Sequence, residues 1–214
     1  NRGACAQPCR YQYALVEEKR PGEYFPIGED AGGAFILNSR DMCMIDHVPE
    51  LMDAGLDSLK IEGRAKSAYY AAIVTAAYRH AIDAAQAGEP LDPVWRAEVD
   101  KVSHRPYSTG FYYGEPGQHT AHARYLRDWQ VVGVVTSCAP DGAALCELRN
   151  KFAEGDELEL VGPGVRPVSF RVEGLTDGDG LPIPEARKPQ MPFRLRLPVQ
   201  APPLSLLRRK AVGL

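Results

Sequence analysis

The hydrophobic positions of this chain follow two rhythms, and the change between them falls near Trp129. From Ser67 to Ala87 the apolar residues Tyr70, Ile73, Val74, Ala77, Ala81, Ala84 and Ala85 recur at spacings of three and four. That is the pattern of a helix with one buried face, and Gly88 is placed to end it. A shorter helix is expected over His47–Gly55, with Pro49 in its first turn and Gly55 just past its end. The runs Ala34–Ser39 and Ser58–Gly63 are short, apolar at their centres and polar at their ends, as buried parallel strands are. Strand, helix, strand, helix in quick succession is the rhythm of an α/β fold. Two such units cannot close a sheet or barrel alone, so residues 1–88 are expected to be the end of a larger α/β domain.

Residues 89–128 lose this regularity. Asp92-Pro93 can start a short helix reaching about Val102. The stretch His104–Gly114 then reads as an irregular aromatic loop, and the segment is expected to be a connector. From Trp129 to the end the period becomes two. Gln130–Ser137, Ala143–Leu148, Glu157–Val161, Val168–Val172 and Phe193–Leu197 read as strands, separated by turns such as Pro140-Asp141-Gly142 and Gly162-Pro163-Gly164. Residues 129–214 are therefore expected to fold as a small antiparallel β-barrel. Pro192, Pro198, Pro202 and Pro203 suit its edge or terminal strands.

Composition sharpens this picture in two places. The chain has 214 residues, a formal charge of −3 and 44% apolar residues, enough to bury a core and too acidic for a uniformly basic nucleic-acid binder. Yet no acidic residue follows Glu185, whereas Arg187, Lys188, Arg194, Arg196, Arg208, Arg209 and Lys210 do. Such a run is either a solvated face or a phosphate-binding surface. No apolar run approaches the ~20 residues of a membrane span. Five cysteines, an odd number, fit a disulfide framework poorly and point to a reducing, cytoplasmic setting.

Three groups of residues have the chemistry for a site. Cys5 and Cys9 stand at C-x3-C spacing, with Cys43 beyond the first predicted strand; they are either soft metal ligands or ordinary buried thiols. Lys60, Glu62 and Arg64 end one predicted strand, and Asn38, Ser39, Arg40 and Asp41 end the other, where α/β folds gather functional groups. Arg64 can clamp an anion with Glu62 orienting it, or the charges can form a structural ion-pair network. The aromatics of the connector, Phe111 among them, either stack on bases or pack between domains. No nucleophile elbow, zinc-protease helix, phosphate loop or dinucleotide fingerprint is present, so no catalytic residue can be named.

Several stretches together carry a resemblance. They are Asn1-Arg2-Gly3-Ala4-Cys5 with Cys9-Arg10-Tyr11, Pro21-Gly22-Glu23-Tyr24, Leu37–Cys43, Asp57–Arg64, Ser103–Tyr112, and Asn150-Lys151-Phe152 followed by Gly155-Asp156. With these the chain resembles the peptidase U-32 (collagenase-like) family, and within it the bacterial proteins that take part in hydroxylating the tRNA wobble uridine to 5-hydroxyuridine. The resemblance implies that residues 1–88 hold the last two βα units of a TIM-like barrel. It likens residues 129–214 to domain 2 of translation elongation factors. It implies a [4Fe–4S] cluster in the full-length protein, with Cys5 and Cys43 as ligands and Cys9 the alternative, and the remaining ligands upstream of Asn1. It also implies tRNA as partner and a small anionic cosubstrate such as prephenate, held by Asn38, Ser39, Lys60, Glu62 and Arg64. Arg194, Arg196, Arg208, Arg209 and Lys210 would then face the nucleic acid. The family's peptidase name leaves a collagenase-like activity as one alternative, and a non-catalytic RNA-binding barrel as another.

Overall fold

The computed structural model describes residues 13–30, 33–35, 39–117, 119 and 125–211. Contacts divide the chain into two compact units that do not follow chain order. Residues 1–44 and 104–126 form the first, and 45–103 and 127–214 the second.

The first unit is built from short strand pairs. Strands β1 (Ala14–Val16) and β2 (Tyr24–Pro26) pair antiparallel, as do β3 (Gly28–Asp30) and β4 (Gly33–Phe35). Strand β5 (Asp41–Met42) lies parallel to β6 (Tyr107–Ser108), with Asp41 opposite Tyr107 and Met42 opposite Ser108. Of the strand expected over Ala34–Ser39, Ala34 and Phe35 fall in β4, whose partner is antiparallel, and residues 36–38 lie outside the described residues. Only two residues separate β3 from β4 in the chain, and a two-residue link can join only antiparallel strands.

The second unit begins with two of the expected helices. Helix α1 spans Val48–Asp53. Helix α2 spans Ala68–Ala87, its N-cap Ser67 accepting a hydrogen bond from the Tyr70 N–H at 3.2 Å and its C-cap Gly88 left-handed at φ 71°. Helix α3 spans Pro93–Glu98, capped by Asp92, and a 3-10 turn carries on through Lys101. Between α1 and α2 the expected strand Ser58–Gly63 is absent. A strand requires a neighbour's N–H and C=O groups, and no described strand lies alongside it. Its apolar residue Ile61 packs instead on a cluster formed by Ile73, Val74, Val102 and Val161.

The rest of the unit is an antiparallel sheet of seven strands. They are β7 (Trp129–Cys138), β8 (Ala143–Leu148), β10 (Glu157–Gly162), β11 (Val165–Arg171), β12 (Thr176–Asp177), β14 (Pro192–Arg196) and β15 (Leu206–Lys210), in the order β11-β10-β15-β7-β8-β14-β12. Two further short strands, β9 (Phe152–Ala153) and β13 (Glu185–Ala186), pair with each other. One face of the sheet closes over a single core that includes Val132, Val135, Cys146, Leu148, Leu158, Leu160, Phe193, Leu195 and Leu207.

Strand β10 explains how the helices attach. All of Leu158, Glu159, Leu160 and Val161 are buried, although successive side chains must point to opposite faces. Leu158 and Leu160 enter the sheet's core, whereas Val161 joins Ile73 and Val74 of α2. Strand β15 repeats the alternation, with Leu207 in the core and Leu206 in the helix cluster. The sheet is therefore covered on both faces along β10 and β15. The C-terminal basic stretch is not a tail: β15 is an inner strand, hydrogen-bonded to β10 on one side and β7 on the other.

Candidate functional site

Two sequence motifs that lie more than 60 residues apart meet in the first unit. The Asp41 N–H donates to the Pro106 carbonyl at 3.2 Å, and the Cys43 N–H to the Ser108 carbonyl at 2.9 Å. The Asp41 carboxylate accepts from the Arg105 N–H at 3.1 Å. The Arg105 guanidinium donates to both the carbonyl and the hydroxyl of Ser39 at 3.2 Å, and its far face lies 5.0 Å from the Tyr125 ring centre. His104 stacks on Tyr107, with ring centres 4.2 Å apart. Arg105 is thus the pin between the two motifs.

Above this junction is a cleft of about 490 Å3, lined by Ser39, Arg40, Met42, Ser108, Phe111 and Tyr112 among others. Gly110 shapes its floor. Its backbone is left-handed (φ 61°), and a Cβ there would come within 2.8 Å of the Met42 sulfur, so only glycine fits without moving that side chain. Phe111 is 81% exposed, Tyr112 59% and Tyr113 56%. Arg40 is exposed, and among the described residues it has no partner and is the only charged side chain lining the cleft.

The residues singled out from sequence fall in different places. Ser39 lines the cleft. Asn38, Cys5 and Cys9 lie outside the described residues. Cys43 is half-buried and not in a disulfide, and no group of three or more metal-ligating side chains exists among the described residues. Lys60, Glu62 and Arg64 belong to the second unit and are exposed. Glu62 accepts from the Arg64 backbone N–H at 2.8 Å, a local turn contact, and neither Lys60 nor Arg64 forms an ion pair among the described residues. The structural network considered for these three residues is therefore not formed.

The five basic residues grouped as a nucleic-acid surface separate sharply. Arg194 and Arg196 are exposed, the first donating to the Gly178 carbonyl at 3.1 Å and the second bridging Asp141 at 3.1 Å. Lys210 is exposed. Arg209 is partly buried and pairs with Asp156 at 2.6 Å. Arg208 is 0% exposed, so it cannot meet a phosphate. It donates to Glu159 and Glu98, the latter at 2.6 Å, and to the Tyr69 hydroxyl at 3.0 Å. Lys101 completes the group, 2.9 Å from both Glu98 and Glu159. Burial disfavours the charged guanidinium, and the facing Tyr69, Glu98 and Glu159 more than offset this, so its pKa is raised. Burial likewise pushes Tyr69 up to about 12.

Sequence reasoning missed Arg105, Arg40 and Met42 as a unit. The signal was present in the motifs Leu37–Cys43 and Ser103–Tyr112, but only folding brings them together.

Comparison with known proteins places these motifs in context. Residues 1–122 match the family model for peptidase family U32, and residues 127–208 that for the peptidase family U32 C-terminal domain. The chain is 32% identical over 98% of its length to tRNA hydroxylation protein P1 of Bacillus subtilis, covering 51% of that protein. It is 37% identical over 81% of its length to tRNA hydroxylation protein P of Escherichia coli, covering 39% of it. A collagenase of Porphyromonas gingivalis is 31% identical over 81% of the chain and 42% of that protein. The chain thus spans about half, or less, of the length of these relatives.

Proposed function

The chain belongs to peptidase family U32, and on that premise we propose that it takes part in the hydroxylation of tRNA. The observation that carries the reading is the similarity along 98% of the chain to a tRNA hydroxylation protein. The cleft supports it: an exposed aromatic run beside an unpaired arginine suits a base and its phosphate. The wobble uridine, converted to 5-hydroxyuridine, is the proposed target, with a small anionic cosubstrate such as prephenate. In this reading the first part of the chain is the end of a TIM-like barrel, and the seven-stranded sheet is the module akin to elongation factor domain 2. Arg194, Arg196, Arg209 and Lys210 remain its candidate tRNA contacts, and Arg208 is withdrawn to a structural role.

Cys5, Cys9 and Cys43 are proposed as this chain's contribution to a [4Fe–4S] cluster, which would supply electron transfer when bound. Cys43 is held in place by the β5–β6 pairing, but one half-buried thiol does not define a cluster site. Lys60, Glu62 and Arg64, being exposed and in no ion pair among the described residues, remain proposed contacts for the anionic cosubstrate.

Mass spectrometry of tRNA nucleosides from cells with and without the gene tests the function. Loss of 5-hydroxyuridine on deletion, restored by the wild-type gene, is expected; unchanged tRNA would overturn it. The collagenase relative favours a second reading, peptide hydrolysis. His47, His80 and His104 are engaged by Glu50, Trp95 and the Arg105 carbonyl respectively, which argues against their acting as a general base. Gelatin cleavage by the whole protein, abolished in Glu62→Gln, would favour it.

A further inference from the structure

We propose that Met42 is a site of reversible oxidation, and that its sulfoxide turns the cleft of the first unit from an apolar surface into a polar one. The switch goes beyond the tRNA reading, because it depends on the cleft's geometry and not on which ligand fills it.

A methionine is oxidised at its thioether sulfur, so its susceptibility follows the access of an oxidant to that atom. The chain has four methionines, and their surroundings differ. Met42 is 60% exposed, whereas Met44, two residues on, is 5% exposed. Met52 in α1 is half-buried, as is Met191 beside the core of the sheet. Apolar residues exposed singly are ordinary, but Met42 lines the cleft of about 490 Å3 together with Phe111 and Tyr112. That space is far larger than the about 30 Å3 that a water occupies, so a peroxide can enter.

The step is transfer of one oxygen atom from hydrogen peroxide. A sulfur lone pair attacks a peroxide oxygen, and the S–O bond forms as the O–O bond breaks. The departing hydroxide takes the proton of the transferred oxygen and leaves as water. The sulfur loses two electrons and the peroxide gains them. Methionine sulfoxide reductases reverse the change: two thiols become a disulfide, and the oxygen leaves as water.

The packing around Met42 makes the change consequential. A Cβ at Gly110 would lie 2.8 Å from the Met42 sulfur and 3.5 Å from its Cγ, so the Gly110 side of the sulfur has no room for another atom. The backbone cannot swing the side chain away, because the N–H groups of Asp41 and Cys43 on either side donate to the carbonyls of Pro106 and Ser108. The sulfoxide oxygen is therefore directed away from Gly110, toward the cleft that Met42 lines. An apolar ligand covering that oxygen leaves a buried acceptor unsatisfied, which weakens binding by about 5- to 150-fold.

The test treats the whole protein with hydrogen peroxide and then with dithiothreitol, so that reversible cysteine products are removed and sulfoxides remain. Peptide mass spectrometry should find Met42 oxidised about tenfold faster than Met44, as exposures of 60% and 5% imply. The probe of the cleft is anilinonaphthalene sulfonate, a dye with fused apolar rings and one anionic group. Its binding should weaken by about 5- to 150-fold on oxidation and recover with methionine sulfoxide reductases. Phe111→Ala identifies the cleft's share of the dye signal. Met42→Leu should bind the dye alike before and after peroxide. Met42→Gln, polar without any oxidant, should bind it as the oxidised wild type does.

Oxidation of Met42 no faster than that of Met44 would overturn the proposal. So would dye binding that peroxide leaves unchanged, or lowers equally in the wild type and Met42→Leu, and so would a Met42→Gln variant that binds dye like the wild type. Circular dichroism of each variant verifies the fold. If Met42 behaves as expected while cellular tRNA is unmodified by the gene, the hydroxylation reading fails alone. If hydroxylation holds while Met42 resists peroxide, the switch fails alone.

Discussion

Replacing Arg208 by methionine should unfold the second unit well below the wild-type temperature, although the residue lies in a stretch that reads as a basic tail. The guanidinium is fully buried and faces two carboxylates, Glu98 at 0% and Glu159 at 10% side-chain exposure. It also lies 5.2 Å from the centre of the Trp129 ring. With Lys101 the group contains two cations and two anions, so it is neutral. Removing Arg208 leaves one buried negative charge without compensation, and breaking a buried pair from one side costs about 3–5 kcal/mol. For a chain of this size that corresponds to roughly 6–20 °C in Tm, at about 2–4 °C per kcal/mol. Arg196→Met is the control. Its side chain is 69% exposed and bridges an Asp141 that is 61% exposed, so its loss should fall within about 1 kcal/mol.

A double substitution sharpens the test. Glu98→Gln added to Arg208→Met removes the stranded charge and leaves Lys101 paired with both oxygens of Glu159 at 2.9 Å. The double variant should therefore be more stable than Arg208→Met alone, despite carrying two changes. Thermal and urea unfolding followed by circular dichroism measure all three. Should Arg208→Met resemble Arg196→Met, or the two substitutions simply add, the buried-charge reasoning is wrong.

Other outcomes follow from the same structure. Tyr69 is held protonated by burial, with its pKa at about 12 against an ordinary value of 10. Its contribution to stability is complete below pH 10 and is lost as pH rises toward 12, so the alkaline loss of stability should be smaller in Tyr69→Phe. Ser67→Ala removes the N-cap of α2 and should cost about 1 kcal/mol, read as a lower urea midpoint at unchanged slope. Cys146 is buried and its thiol pushed up to about 12. In native protein at pH 8 it should resist iodoacetamide and react only after unfolding, which peptide mass spectrometry resolves.

Local patterns in the sequence determined the elements whose stabilising contacts lie close along the chain. Helix α2 was legible because its apolar stripe, the Ser67 cap and the Gly88 stop all lie within one segment. Strand β8 was legible to the residue, and β7, β10 and β14 to within two, because period-two alternation and turn residues mark them locally. What the tertiary structure decided depends on partners distant in sequence. Ser58–Gly63 has the pattern of a strand and lacks a described neighbour, whereas Leu206–Lys210 has the composition of a basic tail and becomes an inner strand between β10 and β7. Arg208 is buried because Glu98 and Glu159 neutralise it from 110 and 49 residues away. Likewise the cleft exists because Arg105 reaches back 66 residues to Ser39. Charge and strand propensity are properties of a residue and its neighbours in sequence, but desolvation and ladder pairing are properties of a place in the fold.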